Sequence, residues 1–332
     1  MTARRSLELV CPAGTPAGLR AAVDAGAHAV YCGFRDETNA RNFPGLNFDR
    51  AEMREGIAYA HARGARVLVA LNTFMRVGAI ETWTRAVDDA VAAGADALIL
   101  ADIGLIAYAR DAHPRQRLHL SVQAAAATPE AIAFYRDRFG IARVVLPRVL
   151  TLDEIARLTA AAAPCETEVF VFGGMCVMAE GRCLLSSYAT GKSPNQNGVC
   201  SPPSHVAYRE ENGALTATLG GFTIEQFGRG EPAGYPTLCK GRFAANGATS
   251  HLFEDPVSLN ALELLPRLAE IGVSGLKIEG RQRGRAYVAA VVRAFRGALD
   301  ALAQGRAPDA GALRALTEGQ ADTTGAYRKA WR

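Results

Sequence analysis

Residues 66–102 read RVLVALNTFMRVGAIETWTRAVDDAVAAGADALILAD, and this stretch decides the fold class. Two apolar runs, RVLVALN (66–72) and ADALILAD (95–102), flank a segment with the periodicity of an amphipathic helix, ETWTRAVDDAVAAGA. The helical segment ends near Gly94, and glycine is the residue type that most often follows a helix. The stretch therefore predicts a strand–helix–strand unit of a parallel sheet.

The same alternation of apolar runs and helical segments continues along most of the chain. Eight runs read as strands: LELVCPAG (7–14), AHAVYCG (27–33), RVLVALN (66–72), ADALILAD (95–102), LHLSVQ (118–123), RVVLPR (143–148), CETEVFVFGG (165–174) and GVSGLKIEG (272–280). Eight strand–helix units in order predict an α/β fold of the (β/α)8 TIM-like barrel type. A doubly wound open sheet is the alternative, but no G-x-G-x-x-G turn follows the first strand.

One stretch, residues 175–255, breaks this alternation, and Gly, Pro, Asn and Ser dominate in it. Barrels carry their functional residues on loops at the C-terminal ends of the strands, so an insertion after the seventh strand is expected to hold the function. We predict a single barrel over residues 1–302 that includes this insertion. The tail, residues 303–332, is expected to dock on the barrel or on a partner.

The composition indicates a globular protein. Of the 332 residues, 49% are hydrophobic and 21% charged, and the net charge of +4 is spread along the chain without a run of like charges. This charge pattern argues against nucleic acid as a direct partner. No segment approaches the ~20 apolar residues of a membrane helix, and the first residues do not resemble a signal peptide. We therefore expect a cytoplasmic protein, whose seven cysteines indicate thiol or metal chemistry more than disulfides.

Four of the cysteines fall in or beside the insertion, with the spacing C-x6-C-x16-C-x38-C: Cys176, Cys183, Cys200 and Cys239. Four thiolates hold either a structural zinc ion or an iron–sulfur cluster. Zinc sites usually use two closely spaced cysteine pairs, which this chain lacks, so the spacing favours a cluster; zinc and unligated thiols are the alternatives. The other cysteines lie in predicted strands, where a free cysteine usually behaves as a small buried hydrophobic residue: Cys11, Cys32 and Cys165.

Polar residues follow most of the predicted strands, at the rim where a barrel collects catalytic side chains. Together they suit a small polar or anionic ligand. We predict catalytic roles for Asn72, Arg148, Lys277, Glu279 and Arg281, and substrate contacts from Asn39, Arg41, Asn47, Asp102 and Gln123. Alternation along the last strand places Lys277 and Glu279 on one face as an ion-pairable duo and turns Ile278 toward the helices. For any single residue, a solvated rim position or a structural salt bridge is the alternative.

The stretch EVFVFGGMCVMAEGRCLLS (168–186) closely resembles the signature of the collagenase-like peptidase family. The segments CPAG near the start and GLKIEGR (275–281) are similar to the same family. Within it, the chain resembles the UbiU branch in three further segments, RDETNARNFPGLNF (35–48), SSYATGKSPNQNGVCSP (186–202) and LKIEGRQRGRAYV (276–288). The spacing of the four cysteines is also similar to that branch.

This resemblance implies a specific function. UbiU proteins belong to an oxygen-independent route to ubiquinone, in which they act with a homologous partner, UbiV, to hydroxylate the aromatic ring of the precursor. The resemblance implies a [4Fe-4S] cluster held by the four cysteines of the insertion, prephenate as the oxygen donor, and a heterodimer with a UbiV-like protein. Because ubiquinone precursors are strongly apolar, we also expect a lipid-binding accessory protein. Four cysteine ligands leave no open iron, which favours electron transfer or structural support over Lewis-acid catalysis.

Three other functions compete with this one. A peptidase needs a nucleophile or a hydrolytic metal, but the six histidines show no H-x3-H or H-E-x-x-H spacing, and no G-x-S-x-G elbow is present. Hydroxylation of tRNA or rRNA bases is the second, and it would favour a basic face or an added binding domain. The third is a non-enzymatic protein that scaffolds a catalytic partner or feeds electrons to it.

Overall fold

The computed structural model describes residues 7–176, 178, 180–307, 310–317 and 321–328. Its strands are β1 (Glu8–Pro12), β2 (Ala29–Cys32), β3 (Arg66–Leu71), β4 (Ala97–Leu100), β5 (Leu118–Leu120), β6 (Arg143–Val145), β7 (Glu166–Gly174), β8 (Val206–Glu211), β9 (Ala214–Leu219), β10 (Phe222–Phe227), β11 (Arg242–Ala245), β12 (Ala248–His251), β13 (Ser258–Asn260), β14 (Gly275–Ile278) and β15 (Asp322–Thr323). Its α-helices are α1 (Pro16–Asp24), α2 (Arg50–His61), α3 (Ile80–Ala92), α4 (Ile103–Ala112), α5 (Pro129–Phe139), α6 (Leu152–Ala162), α7 (Leu185–Thr190), α8 (Pro194–Asn197), α9 (Leu265–Ile271) and α10 (Arg285–Ala303). Strands and helices alternate through the first six units, as the sequence predicts.

Strands β1 to β7 and β14 form a closed ring of eight parallel strands. Each of β1 to β7 pairs with its neighbour in sequence, and β14 pairs with both β7 and β1. Helices α1 to α6 and α9 each precede a strand of the ring, and α10 follows the last one. The predicted (β/α)8 TIM-like barrel is confirmed, and the doubly wound open sheet is excluded because the ring has no open edge.

Side-chain caps start most of the barrel helices. Five N-cap side chains accept hydrogen bonds from the first turn of their helix: Thr15, Asp49, Asp102, Thr128 and Thr151. At α2 and α6 the third helical residue is a glutamate that bonds back to the cap, which completes a capping box. Each such cap stabilises a helix by roughly 1 kcal/mol. These local signals place each helix start directly after a barrel loop.

The barrel has two buried layers. The larger core lies between the strands and the helices, and it contains the outward-facing residues of the strands, such as Leu9, Val30 and Val69. Inside the ring, a second cluster comprises Val10, Ala29, Tyr31, Leu68, Ala70, Ala97 and Ile99. Below this cluster the interior is charged, because Arg143 contacts the carboxylates of Glu8, Glu166 and Glu168. Barrel interiors are usually filled by branched apolar residues, so this charged floor is a departure.

The insertion after β7 contains regular structure that the sequence did not predict. Strands β8, β9 and β10 form a three-stranded antiparallel sheet, and β11 pairs with β12 as a hairpin. Two short helices, α7 and α8, precede these strands. Strand β13 then pairs antiparallel with the end of β7 and returns the chain to the barrel.

The described part of the tail docks on the barrel. Strand β15 pairs with β13, and the Asn260 amide donates a hydrogen bond of 2.8 Å to Asp322. The buried Tyr327 hydroxyl donates a hydrogen bond to the Phe170 carbonyl on β7. The tail therefore packs behind the strand that leads to Cys176. Among the described helices, none has the length and apolar character needed to span a bilayer.

Candidate functional site

A cavity of about 240 Å3 opens at the C-terminal ends of the barrel strands. Its deep wall is formed by inward-facing side chains of the strands, including Tyr31, Ile99 and Phe170. Its outer wall is formed by the rim loops and by the insertion. This is the end of a barrel at which active sites are found.

All four cysteines of the insertion line this one cavity: Cys176, Cys183, Cys200 and Cys239. Cys176 directly follows β7, and Cys183 precedes α7, where its carbonyl accepts a hydrogen bond of 3.2 Å from Asn195. Cys200 follows α8, and Cys239 lies in a short 3-10 turn. Side chains separated by up to 62 intervening residues therefore line a single cavity.

The electrostatics of these thiols favour a positive centre among them. Burial raises the pKa of Cys176 and of Cys183. Burial, followed by the nearness of the other three cysteines, raises the pKa of Cys239 to about 12. Four thiolates in this environment would repel one another, and a bound metal or cluster would offset that repulsion and ionise the thiols. The donor set thus fits a thiolate-ligated centre.

The thiols do not form a preassembled site for a single ion. Within the described part of the chain, no three His, Cys, Asp or Glu side chains stand together in a metal-binding arrangement. The remaining cysteines are buried in or beside strands, away from the cavity wall: Cys11, Cys32 and Cys165. Burial raises the pKa of Cys32 to about 12 and that of Cys165 to about 11, as expected for inert core thiols.

Two glycines seat the cysteine loops against the rim. Gly181 has a φ of +76°, and a Cβ there would lie 2.0 Å from the Gln123 carbonyl oxygen. Gly198 has a φ of +77°, and a Cβ there would lie 2.7 Å from the Asn39 carbonyl oxygen. Because a side chain at either position would push the loop outward, glycine allows the insertion to close over the cavity.

Lys277 and Glu279 both line the cavity, but they do not pair with each other as the sequence analysis expected. The Lys277 Nζ lies 2.6 Å from the Glu168 carboxylate and 4.0 Å from the centre of the Tyr31 ring. The Glu279 carboxylate lies 3.9 Å from the Arg41 Nε and accepts a hydrogen bond of 3.3 Å from the Gly174 amide. The pairing between β14 and β7 shifts register after Lys277, so Glu279 lies at the rim while Lys277 stays deeper.

Arg148 and Arg281 are buried cations of the cavity wall. Arg148 forms an ion pair of 2.6 Å with Glu180, and its guanidinium lies 3.4 Å from the centre of the Phe170 ring. Arg281 donates a hydrogen bond of 2.9 Å to the Asn39 side chain and another to the Ala40 carbonyl. These contacts fix both guanidinium groups in place.

Arg41, Asn72 and Gln123 also line the cavity. Asn72 is held on both sides, because its Oδ1 accepts from the Ala40 amide at 3.0 Å and its Nδ2 donates to Ser121 at 3.2 Å. The Arg41 side chain is one third exposed. The structure thus brings seven of the ten predicted rim residues to one cavity: Arg41, Asn72, Gln123, Arg148, Lys277, Glu279 and Arg281.

The other three predicted substrate ligands lie behind the cavity wall: Asn39, Asn47 and Asp102. Asp102 caps α4 by accepting from the amides of Gly104 and Leu105, and it also accepts from Met75. Asn47 donates to the Arg41 carbonyl at 2.9 Å, and Asn39 holds Arg281. Their side chains support rim loops, a role that residues directly after a strand often have and that sequence position alone does not separate from ligand binding.

Several wall residues were absent from the sequence prediction. Tyr31 points inward by the alternation of β2, and its hydroxyl donates to the Ile278 carbonyl at 2.8 Å. Glu168 faces inward on β7, and the family signature contains it. Strand alternation could have revealed both. Glu180, the partner of Arg148, lies in the cysteine loop, where no regular period exists to predict its direction.

Comparison with known proteins agrees with this geometry. A sequence profile described as Peptidase family U32 matches residues 14–328. The chain belongs to peptidase family U32. The collagenase-like family predicted from the signature is therefore confirmed.

The U32 relatives include proteins named for hydroxylation. The tRNA hydroxylation protein P of Escherichia coli (strain K12) is 33% identical over 328 residues, covering 91% of this chain and 70% of that protein. Its namesake in Haemophilus influenzae is 32% identical over 331 residues, covering 93% of this chain and 71% of that protein. The 23S rRNA 5-hydroxycytidine C2501 synthase of Escherichia coli (strain K12) is 31% identical over 305 residues, covering 90% of this chain and 40% of that protein. Hydroxylation of RNA is therefore the chemistry for which these relatives are named.

Proposed function

We propose that this U32 protein is the iron–sulfur component of an O2-independent hydroxylase, and that its substrate is the aromatic ring of a ubiquinone precursor. A homologous UbiV-like protein would be its partner in a heterodimer, and prephenate would donate the oxygen atom. A lipid-binding accessory protein would present the apolar precursor.

One observation carries the proposal: four cysteines scattered over the insertion line the same small cavity as Lys277, Glu279 and Arg148. In our proposal Cys176, Cys183, Cys200 and Cys239 are the ligands of a [4Fe-4S] cluster. When bound, such a cluster would supply electrons or hold the cysteine loops together. The chain's own residues would bind and orient the two small molecules in the cavity.

The choice of a quinone precursor rests on the UbiU-like segments of the sequence. Three of them contribute to the site: residues 35–48 supply Arg41, residues 186–202 supply Cys200, and residues 276–288 supply Lys277 and Glu279. A cavity of about 240 Å3 has room for a single aromatic ring beside a small donor. Lys277, Glu279, Arg281, Asn72 and Arg148 are our candidates for catalytic roles within it.

RNA base hydroxylation is the second candidate, and the names of the curated relatives favour it. Those relatives are about one third identical to this chain, a level at which chemistry is often retained while the substrate changes. A flipped-out pyrimidine base is also a single ring that could enter a cavity of this size. The geometry argues against peptidase activity, since no histidine lines the described cavity to activate a nucleophile.

An experiment in cells separates the two substrates. A strain lacking this gene and any redundant homologue is grown in air and under anoxia, and both quinones and hydroxylated nucleosides are quantified by mass spectrometry. We expect normal ubiquinone in air and accumulation of under-hydroxylated precursor under anoxia, with unchanged RNA. Restoration should require the UbiV-like partner, should fail with Cys176→Ala, and should succeed with Cys11→Ala, which alters a core thiol away from the cavity.

Normal anaerobic ubiquinone together with loss of a hydroxylated nucleoside would replace our proposal by RNA hydroxylation. Normal levels of both would refute both candidates. Restoration of anaerobic ubiquinone by a double variant, Lys277→Ala with Glu279→Gln, would instead favour a non-enzymatic protein that scaffolds a catalytic partner.

A further inference from the structure

Among the described residues, the buried cation Arg281 stands at the cavity without a carboxylate partner. Arg148 pairs with Glu180, and Lys277 pairs with Glu168. Arg41 lies 3.9 Å from Glu279, a loose contact for an ion pair. Arg281 instead donates to an amide side chain and to a backbone carbonyl, and within the described chain no carboxylate lies at salt-bridge distance from it.

This arrangement is energetically costly. Arg281 is only 5% exposed, and burying a charge without an opposite charge is strongly unfavourable. Burial lowers the pKa of Arg281 to about 10, in the direction that an uncompensated cation requires. An anion that entered the cavity would therefore gain more at Arg281 than at a cation already paired.

Arg41 lies in the same region of the cavity wall as Arg281. Arg281 holds the Ala40 carbonyl and the Asn39 side chain, so the residue next to Arg41 is fixed to the Arg281 guanidinium. The Arg41 backbone has a φ of +152°, a conformation that side-chain-bearing residues rarely adopt and that tends to occur at functional sites. Its side chain is one third exposed at the cavity, 3.9 Å from Glu279.

The cysteine side of the cavity has other cations. Arg148 pairs with Glu180 of the loop that carries Cys176 and Cys183, and Lys240 is the residue after Cys239. Arg281 instead faces the Tyr31 ring, with its guanidinium carbon 5.5 Å from the ring centre. Besides the cysteines and their neighbouring cations, the cavity wall therefore contains a group formed by Arg41, Arg281 and Tyr31.

We propose that Arg41 and Arg281 form a carboxylate-binding subsite, in which a small organic acid places one carboxylate against the Arg281 guanidinium. This inference rests on the proposed function, in which the oxygen donor carries carboxylates. A guanidinium binds a carboxylate through directed, charge-assisted hydrogen bonds, so the contact would orient the donor as well as hold it. Because Arg281 is buried, the subsite suits a small acid more than the backbone of a polynucleotide.

The test is calorimetric titration of prephenate into the anaerobically purified full chain and its variants. We expect Arg41→Gln and Arg281→Lys each to weaken prephenate binding by about tenfold or more, since each removes charge-assisted hydrogen bonds. Arg209→Gln, which removes a cation from an exposed position on β8, should leave the affinity within about twofold of the wild type. Inorganic phosphate, used as a competitor, should not displace prephenate at similar concentrations.

Wild-type-like affinity in both cavity variants would overturn the subsite, as would absence of prephenate binding by the wild type. Thermal unfolding of each variant checks its fold. If Arg281→Lys is unstable, Arg41→Gln alone decides, because its partly exposed side chain is not part of the core. Prephenate binding that depends on both arginines, together with normal anaerobic ubiquinone in the deletion strain, would preserve the subsite and refute the quinone substrate.

Discussion

Glu168 is a buried carboxylate that joins two cations in the barrel interior. One oxygen lies 2.6 Å from the Lys277 Nζ, and the other lies 3.1 Å from Arg143. Burial alone would raise the pKa of Glu168, but Lys277 and Arg143 hold it below its ordinary value. A carboxyl group with a lowered pKa stabilises the fold above its unfolded-state pKa, and this stabilisation is lost as the pH falls through the folded-state pKa.

Replacement of this carboxylate tests the interior network. Glu168→Gln should lower the free energy of unfolding at pH 7 by about 3–5 kcal/mol, because it leaves buried cations without a partner. Urea denaturation measures this loss. The difference in unfolding free energy between wild type and variant should become smaller as the pH is lowered below about 4.5. Glu270→Gln, which removes an exposed partner of Arg267, should cost less than about 1 kcal/mol. A loss of that smaller size for Glu168→Gln, or a gap independent of pH, would show that the network is not stabilising.

For single residues, the sequence predicted the direction in which a side chain points better than it predicted which side chain that residue contacts. Alternation along β14 correctly placed Lys277 and Glu279 on the inner face. The sequence analysis expected these two side chains to pair with each other. It could not identify Glu168 as the partner of Lys277, because Glu168 is 109 residues away and a period along one strand contains no information about a neighbouring strand. Asp102 was predicted as a ligand, yet a residue between a strand and a helix is equally suited to cap the helix, as it does here.

At the level of elements, the contact between the cysteine loop and the β5 loop determines where Cys183 lies. The contact requires a residue without a Cβ at position 181, where φ is +76° and the Gln123 carbonyl is adjacent. Gly191, at the end of α7, has a similar φ of +66°, but a Cβ added there would meet no described atom within 4 Å, which makes it a matched control.

Gly181→Ala should therefore displace the loop and reduce iron incorporation by about half or more, measured as iron per chain after anaerobic purification. Gly191→Ala should retain wild-type iron content and lose only about 1–2 kcal/mol of stability from its backbone conformation. Equal iron content in the two variants would mean that the loop contact does not position Cys183.

The sequence predicted the barrel elements and missed those of the insertion for one reason. Barrel strands are buried on both faces and read as apolar runs between helices. Strand β8 instead has a mostly exposed pattern, and β11 and β12 are only four residues long, too short to show a period. The antiparallel strand β13 is only three residues long, so its pairing with β7 depends on the tertiary structure.

At the level of the whole molecule, the barrel and the insertion divide the site between them. The strands provide a rigid wall with fixed cations, and the insertion provides the four cysteines of the cavity. The spacing of the cysteines indicated a cluster, and the fold explains why such long intervals suffice: each intervening segment leaves the cavity, forms a small element and returns. The convergence of the four thiols is a property of the tertiary structure that no sequence spacing could establish.

The central claim is that these four cysteines hold a [4Fe-4S] cluster, and the metal and sulfide content of the anaerobically purified chain tests it most directly. The account predicts about four iron and four sulfide per chain. It predicts a marked loss of both in each of Cys176→Ala, Cys183→Ala, Cys200→Ala and Cys239→Ala, and wild-type content in Cys11→Ala. Stoichiometric zinc in place of iron, or iron content unaffected by all four substitutions, would contradict it.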